Sequence, residues 1–143
     1  MARLTIPQSV AEWNERGKDC LPGHLGIEIL AVEPDAVRAC MRVERSLTAW
    51  NNFLHAGAVV SLADTCCGYA TIRNLPEDAE GFTTIELKSN FLGTTLAGDV
   101  LCSATPVHKG RTTQVWDAVV RAEKTGKTIA LFRCTQMILR NRN

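Results

Sequence analysis

The sequence lacks several features that would assign it to a class at once. No run of apolar residues approaches the roughly 20 needed to cross a bilayer. The polar first residues lack the apolar core of a secretory signal peptide. The net charge is only +1, so no basic surface predicts nucleic-acid binding. We therefore expect a soluble, cytoplasmic protein with neither nucleic acid nor a membrane as partner.

Metal-site patterns are also missing, although the chain holds six cysteines. None of them forms the CxxC pairs that are typical of zinc sites. They are scattered through apolar runs, as reduced thiols of a core would be, and a disulfide framework is not expected at this length without a secretion signal. We predict no metal site, and reduced cysteines at positions Cys20, Cys40, Cys66, Cys67, Cys102 and Cys134.

The 143 residues predict one domain spanning residues 1–143, with an N-terminal helical segment in residues 1–20. Ser9 and Glu12 have the spacing of a capping box, which predicts a helix that ends near Lys18. A loop is predicted over residues 21–26. Two strands follow at 27–33 and 36–44, joined by a Pro-Asp turn. The second strand is predicted from alternating apolar residues, namely Val37, Ala39, Met41 and Val43.

A long helix is predicted over residues 56–73. It is apolar nearly all round and must therefore be covered on every side. Four more strands are predicted at 83–92, 99–108, 112–124 and 128–140, with short glycine-containing connections between the last three. We predict an α+β fold in which a curved antiparallel sheet wraps around one central helix. Several strands are apolar on both faces, so the face away from the helix should pack on a second subunit or layer.

One carboxylate, Asp64, interrupts this helix near its middle. Its neighbours at helical spacing are mostly small or weakly polar, which leaves room for water or a ligand: Gly57, Val60, Ser61, Cys67, Gly68 and Thr71. A buried carboxylate is costly unless it is paired. Two interpretations remain open. Asp64 is either a structural group satisfied by a backbone amide or by an arginine at a subunit contact, or a general base or nucleophile with a tuned pKa.

The triplet His-Ala-Gly precedes the predicted helix. Ala56, Gly57 and Ala58 would be its first residues, whose N–H groups have no acceptor within the helix. Such donors can hold a developing oxyanion, and Gly57 has no side chain to obstruct the approach. His55 is either a capping or packing residue or a proton-transfer group.

At these residues the sequence resembles the hotdog-fold acyl-CoA thioesterases, in particular the PaaI-like group. The segment LHAGAVVSLADT is similar to the family's His-Gly-Gly followed after six residues by Asp. The segment TTIELKSNFLGTTLAGD resembles its strand-turn-strand, HKGRTT its hairpin, and EKTGKTIALFR also fits. The resemblance extends from about Leu25 to Leu139.

The resemblance implies a hotdog fold and a homo-oligomer, a dimer or a dimer of dimers, with active sites at the dimer interface. It assigns the family's acid to Asp64, the oxyanion N–H donor to Ala56 and the water-positioning hydroxyl to Thr84. The implied substrate is an acyl-CoA, so coenzyme A enters as part of the substrate and no separate cofactor is expected. Its phosphates would meet Lys109, Gly110 and Arg111 in the HKGR turn, where the charges could equally be solvated.

Two positions depart from the family's pattern. Ala56 stands where the family has glycine, which keeps the N–H but adds a methyl group near the thioester. Ala49 stands six residues before the histidine, where many relatives have Asn or Gln, and Asn51 or Asn52 could replace that amide.

The function predicted from these residues is hydrolysis of an acyl-CoA with a small, medium-chain or aromatic acyl group. Asp64 would activate a water held by Thr84 or attack the thioester directly. Two alternatives remain: a hotdog-fold hydratase or dehydratase that uses His55 with Asp64, and a non-catalytic acyl-CoA-binding protein. Five aromatic residues could line the acyl pocket or belong to the core: Trp50, Phe53, Tyr69, Phe82 and Phe91.

Overall fold

The predicted strands form a single antiparallel sheet in a computed structural model that describes residues 4–141. The strands are β1 (Ile27–Glu33), β2 (Ala36–Arg42), β3 (Gly81–Phe91), β4 (Asp99–Lys109), β5 (Thr113–Ala122) and β6 (Thr128–Leu139). The helices are α1 (Val10–Gly17), α2 (Leu21–His24) and α3 (Ala56–Arg73), with a 3-10 turn at Arg45–Leu47. No helix in this part of the chain combines the length and apolar character that a bilayer crossing requires.

The sheet has the strand order β1-β2-β4-β5-β6-β3 and wraps around α3, which contacts every strand. The alternation predicted for β2 is confirmed, because Val37, Ala39 and Met41 are fully buried. They belong to the same core cluster as Leu62 and Cys66 of α3. The predicted α+β fold is therefore correct, and the central helix begins and ends at the predicted residues.

The N-terminal segment differs from the prediction at one place. Ser9 caps α1 as predicted, because its side chain accepts a hydrogen bond from the Glu12 N–H (3.2 Å). The predicted loop after it contains the short helix α2, with Pro22 in its first turn. Proline is tolerated there because its missing N–H would have had no acceptor within the helix.

Four of the six cysteines are buried and free, as predicted for core thiols. A hydrogen bond between Cys66 and Cys102, together with burial, raises the pKa of Cys66 well above its ordinary value. The hydrogen bond between Cys67 and Cys134 and burial act in the same way on the pKa of Cys67. The prediction is wrong for Cys20, which is exposed because it lies in the connection between α1 and α2.

Strand β3 is an edge of the sheet and pairs with β6 alone in the described chain. Most of its residues are exposed, including Ile85 with 53% of its surface accessible. The register with β6 shifts between Thr84 and Glu86, which leaves Ile85 as the extra residue of a bulge. This edge therefore offers unpaired backbone groups and apolar side chains in a single copy of the chain.

The second face of the sheet also carries apolar side chains that are not covered by residues 4–141. Leu30, Leu101 and Leu131 are exposed on β1, β4 and β6. The prediction that these strands are apolar on both faces is confirmed, and within the described residues the side away from α3 is open.

Candidate active site

Helix α3 begins with a cap made by His55. The His55 Nδ1 accepts a hydrogen bond from the Gly57 N–H (2.7 Å), and the His55 carbonyl accepts from Ala58 (3.0 Å) and Val59 (3.2 Å). The capping role predicted for His55 is confirmed, and a role in proton transfer stays a prediction. The Nδ1 acts as an acceptor, so the ring proton of the neutral imidazole lies on Nε2.

The cap changes which amides are available as oxyanion donors. Gly57 and Ala58 were both predicted to offer free N–H groups, and this is wrong because His55 accepts hydrogen bonds from both. The Ala56 N–H has no acceptor within residues 4–141. It lies at the positive end of the helix dipole, where a developing negative charge is stabilised. The structure thus leaves one of the three predicted donors free, and it is the one that the family resemblance selects.

Asp64 is half-buried and unsatisfied. Its Oδ1 is shielded from solvent and has no hydrogen-bond partner in the described chain. Burial alone raises the pKa of the carboxyl above its ordinary value, and no neighbouring charge contributes. The backbone amide or arginine that the structural interpretation requires does not bind Oδ1 within a single copy. A carboxylate with raised pKa and a vacant lone pair is suited to accept a proton or to attack an electrophile.

The small-residue face predicted around Asp64 is only partly open. Val60, Ser61 and Asp64 are half-buried. Cys67 and Thr71 are fully buried, and the Thr71 hydroxyl donates to the Cys67 carbonyl (2.8 Å). The space beside the carboxylate therefore lies toward the start of α3.

Strand β3 runs alongside this face in the opposite direction. A Cβ on Gly68 would lie 3.3 Å from Phe82 Cζ, while near the helix start the Leu54 N–H donates to Thr94 Oγ1 (3.2 Å). Asp64 precedes Gly68 by about 6 Å along the helix, and Thr84 follows Phe82 by about 7 Å along the strand. Counted in this way, Thr84 is near the level of Asp64, and its role in holding a water stays a prediction.

The register with β6 determines which threonine turns toward the helix. Thr84 pairs with the fully buried Gln136, whereas Thr83 pairs with the exposed Met137. Directly paired residues of antiparallel strands point to the same side of the sheet. Thr84 therefore lies on the helix side with Asp64, and Thr83 lies on the outer side.

Asp64 and the free N–H of Ala56 are too far apart to act on one group. Eight residues of helix separate them by about 12 Å along the axis. Both must approach a single thioester within about 3–4 Å to act on it. His55 is farther still from Asp64, so the His–Asp pair required by the hydratase alternative does not form within one chain.

The asparagines near Ala49 have local roles. The Asn51 Oδ1 accepts from the Phe53 N–H (3.1 Å), and the Asn52 Oδ1 accepts from the Arg45 guanidinium. Asn52 has φ = +68°, a left-handed conformation that asparagine tolerates well. Neither amide oxygen is free, so the assignment of Asn51 to the site stays a prediction.

The predicted phosphate-binding turn lies at the other end of α3. Lys109 Nζ is 2.5 Å from Asp35 Oδ1 and 3.4 Å from the side-chain oxygen of Asn74, the C-cap of the helix. Arg111 pairs with Asp78 at 3.6 Å. The Gly110 N–H closes the hairpin on the Thr113 carbonyl (2.9 Å). Both cations thus have exposed carboxylate partners, and their contact with coenzyme A stays a prediction.

Two surface hollows share Ser46 and Thr48, one at the start of α3 and the other beside the turn that precedes it. One, of about 220 Å³, is lined by Ser46, Thr48, His55, Gly57 and Ser61 together with Leu21 and Leu25. The other, of about 450 Å³, is lined by Arg45, Ser46, Thr48, Ala49 and Trp50. Neither Ser46 nor Thr48 was predicted as a site residue, because a 3-10 turn and a β-bridge bring them there and neither has a recognisable sequence signal. Across residues 4–141, no three His, Cys, Asp or Glu side chains are grouped as metal ligands.

The chain is similar over most of its length to an acyl-CoA hydrolase and to proteins described as putative esterases. A 1,4-dihydroxy-2-naphthoyl-CoA hydrolase of Listeria monocytogenes is 29% identical over 82% of this chain and 94% of its own. A putative esterase of Haemophilus influenzae is 33% identical over 81% of this chain and 83% of its own.

Solved structures show the same fold. A thioesterase from Haemophilus influenzae superposes with a TM-score of 0.87 at 29% identity, covering 94% of this chain and 92% of its own. A mutant thioesterase from Pseudomonas aeruginosa gives a TM-score of 0.87 at 27% identity, covering 97% and 99%. The Thioesterase superfamily matches residues 51–129, which include α3 and β3 and therefore Ala56, Asp64 and Thr84. The chain therefore belongs to the Thioesterase superfamily of hotdog-fold thioester hydrolases.

Proposed function

We propose that the protein hydrolyses acyl-CoA thioesters at sites assembled from two copies of the chain. The observation that carries the proposal is the buried, unpartnered Oδ1 of Asp64, which faces the small-residue side of α3. In each site the Ala56 N–H of one copy holds the thioester carbonyl, and Asp64 of the other copy approaches its carbon.

Two features support a site shared between copies. The free N–H and the carboxylate are about 12 Å apart on one helix, whereas two helices that lie antiparallel can bring each carboxylate to the other's start. The exposed edge of β3, which lies beside this face of α3, supplies the surface for such a pairing. Two copies joined edge to edge through β3 would form one continuous sheet with two equivalent sites.

The proposed mechanism uses the free amide and the carboxylate on opposite sides of the thioester. The Ala56 N–H, backed by the helix dipole, stabilises the oxyanion as the carbonyl becomes tetrahedral. Asp64 then takes a proton from a water that Thr84 positions, or attacks the carbonyl directly to form an anhydride that water hydrolyses. In both routes the coenzyme A thiolate leaves and the acyl group ends as a carboxylate.

The far end of coenzyme A is assigned to the turn at Lys109 and Arg111. These residues lie beside Asn74, which follows Asp64 by ten residues or about 15 Å along α3. The copy that supplies the carboxylate therefore also supplies a cationic turn at a distance suited to the phosphates of an extended arm. When coenzyme A binds, its phosphate oxygens would replace the carboxylates of Asp35 and Asp78 as partners of the two cations.

A dimer of dimers is the proposed assembly. The exposed leucines on the outer face of the sheet, Leu30, Leu101 and Leu131, give each β3-joined dimer an apolar surface. Burying that surface on a second dimer removes it from water and leaves the β3 pairing unchanged.

The test is the release of free thiol from a panel of acetyl-, hexanoyl- and benzoyl-CoA. We expect the wild-type chain to release coenzyme A from at least one of them. Asp64→Asn should lower kcat by about a hundredfold or more, because the variant lacks the proton acceptor. Asp19→Asn, which removes an exposed carboxylate outside the site, serves as the control and should keep wild-type rates. Full activity of Asp64→Asn would refute the assigned role.

A further inference from the structure

The segment that leads into α3, residues 44–55, is a hairpin held together by its own hydrogen bonds. The Ala49 N–H donates to the Phe53 carbonyl (2.7 Å), and the His55 N–H donates to the Leu47 carbonyl (2.9 Å). We call this segment the entry hairpin. Its backbone forms a unit of its own, which continues directly into the first turn of α3.

One hydrogen bond joins the entry hairpin to the connection between β3 and β4. The Leu54 N–H donates to Oγ1 of Thr94 (3.2 Å), a residue that follows 40 positions later in the chain. Among the hydrogen bonds of residues 4–141, no other links the entry hairpin to an element besides α3. Leu47 and Leu54 are buried in the core, but apolar packing is non-directional and does not orient an amide. Within the described residues, the Thr94 hydroxyl is therefore the one outside polar group that holds the hairpin next to α3.

The connection that carries Thr94 is itself fixed to β6. The N–H groups of Leu92 and Gly93 both donate to the Ile129 carbonyl, at 2.7 and 3.2 Å. Ile129 is buried, so this anchor lies in the core of the sheet. Because hydrogen bonds are directional, a hydroxyl one residue beyond such an anchor can orient the peptide group that donates to it.

The orientation of that peptide matters for the proposed oxyanion donor two residues later. The Ala56 N–H belongs to the planar peptide unit whose carbonyl is that of His55, and in a trans peptide the N–H and the C=O point in opposite directions. The His55 carbonyl accepts from two N–H groups of the first turn, so the Ala56 N–H points out of the start of α3. His55 is joined on its other side to Leu54, the residue that Thr94 holds.

We propose that Thr94 is a positioning residue for the oxyanion donor: its hydroxyl holds the Leu54 N–H and thereby aims the Ala56 N–H at the thioester carbonyl. The inference rests on the proposed function and adds to it a group from a separate connection of the sheet. In this role Thr94 needs no contact with the substrate. A donor that is turned away from the oxyanion loses part of its effect, because such donors act at about 2.7–3.1 Å.

The first test removes the hydroxyl. Thr94→Val keeps the shape of the side chain and lacks the acceptor. We expect kcat for the most reactive acyl-CoA of the panel to fall by about tenfold and KM to change by less than about twofold, because the lost interaction acts in the transition state. Thr94→Ser keeps the hydroxyl and should retain most of the rate.

Thr95→Val is the matched control for this test. The Thr95 Oγ1 donates within its own connection, to the Ala97 carbonyl (3.0 Å), and has no bond to the entry hairpin. This variant should keep the wild-type kcat. Wild-type kcat in Thr94→Val, a loss confined to KM, or equal losses of kcat in both valine variants overturn the inference.

The second test asks whether Thr94 acts through Ala56. Ala56→Pro removes the proposed donor at a helix position where proline is tolerated. Adding Thr94→Val to that variant should lower kcat by less than about twofold, whereas independent effects would multiply to a further loss of about tenfold. Such a further loss overturns the inference. A wild-type protein that hydrolyses no thioester, or an Ala56→Pro variant with normal turnover, would instead refute the proposed function.

The third test observes the amides directly and needs no turnover. In protein labelled with ¹⁵N at leucine and alanine, Thr94→Val should speed the hydrogen exchange of the Leu54 amide and shift the Ala56 amide resonance. Thr94→Ala, which also lacks the acceptor, should do the same, and Thr95→Val should change neither amide. An Ala56 resonance at its wild-type position in either folded Thr94 variant overturns the inference.

Discussion

Ala56 is the first residue of α3, a position at which the backbone N–H can be removed without breaking a hydrogen bond of the helix. Proline is favoured at the first position of a helix, and the preceding His55, with φ = −64° and ψ = 136°, has the extended backbone that a following proline requires. Ala56→Pro therefore deletes the proposed oxyanion donor and leaves α3 intact.

We expect Ala56→Pro to lower kcat by about a hundredfold or more, the usual effect of one lost oxyanion donor. Circular dichroism should show an unchanged helix content. Ala56→Gly is the matched control, since it keeps the N–H and removes only the methyl group, and it should retain activity. Normal turnover by the proline variant would mean that the oxyanion is held elsewhere.

The Asp64 carboxylate is needed for the proposed reaction, but its burial lowers the stability of the folded chain when it is ionised. Burial raises its pKa in the folded chain above the ordinary value of 3.8, so folding favours the protonated carboxyl. At a pH below 3.8 the Asp64 carboxyl is protonated in both the folded and the unfolded chain, so it does not lower the free energy of unfolding. The penalty develops as the pH rises through the folded-state pKa, when the folded chain must ionise a desolvated group.

Asp64→Asn should therefore be more stable than the wild type at pH 8, and its advantage should shrink as the pH falls toward about 4. Thermal unfolding of both proteins across this range measures the difference in Tm. Asp19→Asn, an exposed position, provides the comparison and should show no such trend. A wild type that is the more stable protein at pH 8 would indicate a partner for the carboxylate in the assembled protein.

At the level of elements, the proposed pairing of two copies depends on the exposed edge of β3. Ile85 lies at the bulge of this edge, and Ile85→Asp would put a desolvated charge into any pairing between copies. We expect the variant to elute as a monomer in size-exclusion chromatography and to lose thioesterase activity.

The control for this element is Leu101→Lys, on the outer face of the sheet, where Leu101 is 36% exposed. It should disrupt the association of dimers and leave the β3-joined dimer active. A monomer with full activity in the Ile85→Asp variant would contradict a site shared between copies.

The elements themselves could be predicted because their signals are local. The bounds of α3 follow from a largely apolar segment that begins after His55, and the last strands follow from apolar segments separated by glycine-containing turns. The short helix α2 could not be predicted in this way, because Pro22 and Gly23 are typical loop residues. Their helical conformation depends on their tertiary surroundings. Likewise, the loss of Gly57 as a donor depends on the rotamer of His55, which no spacing encodes.

At the level of the whole molecule, the proposed site can be tested by mixing subunits. Asp64→Asn removes the carboxylate of one copy, and Ala56→Pro removes the amide of the other. In a mixed dimer one site carries both defects and the second carries neither.

Two inactive variants that exchange subunits at random should therefore recover about a quarter of the wild-type activity, because half of the dimers are mixed and each has one intact site. Refolding them together and measuring thiol release tests this. Either variant refolded alone is the control. A mixture that stays inactive would show that amide and carboxylate act within a single chain.

Contacts between distant parts of the chain limited what the sequence could reveal about the site. The ion pair of Lys109 with Asp35 joins residues far apart in sequence, so a turn cation that looked free proved to be paired. The position of Thr84 relative to Asp64 along the helix axis depends on how β3 lies along α3, which the sequence does not show. The oligomeric state and a cytoplasmic location stay predictions.

The reactivity of the buried thiols can be used to measure unfolding of the chain. Of its six cysteines, Cys20 is exposed and Cys40 is half-buried, whereas the other four are enclosed between α3 and the sheet. A thiol reagent should therefore titrate Cys20 at once in the native protein and reach all six only after denaturant is added. The rate at which the last four react reports how often the sheet opens from its helix, with no label introduced.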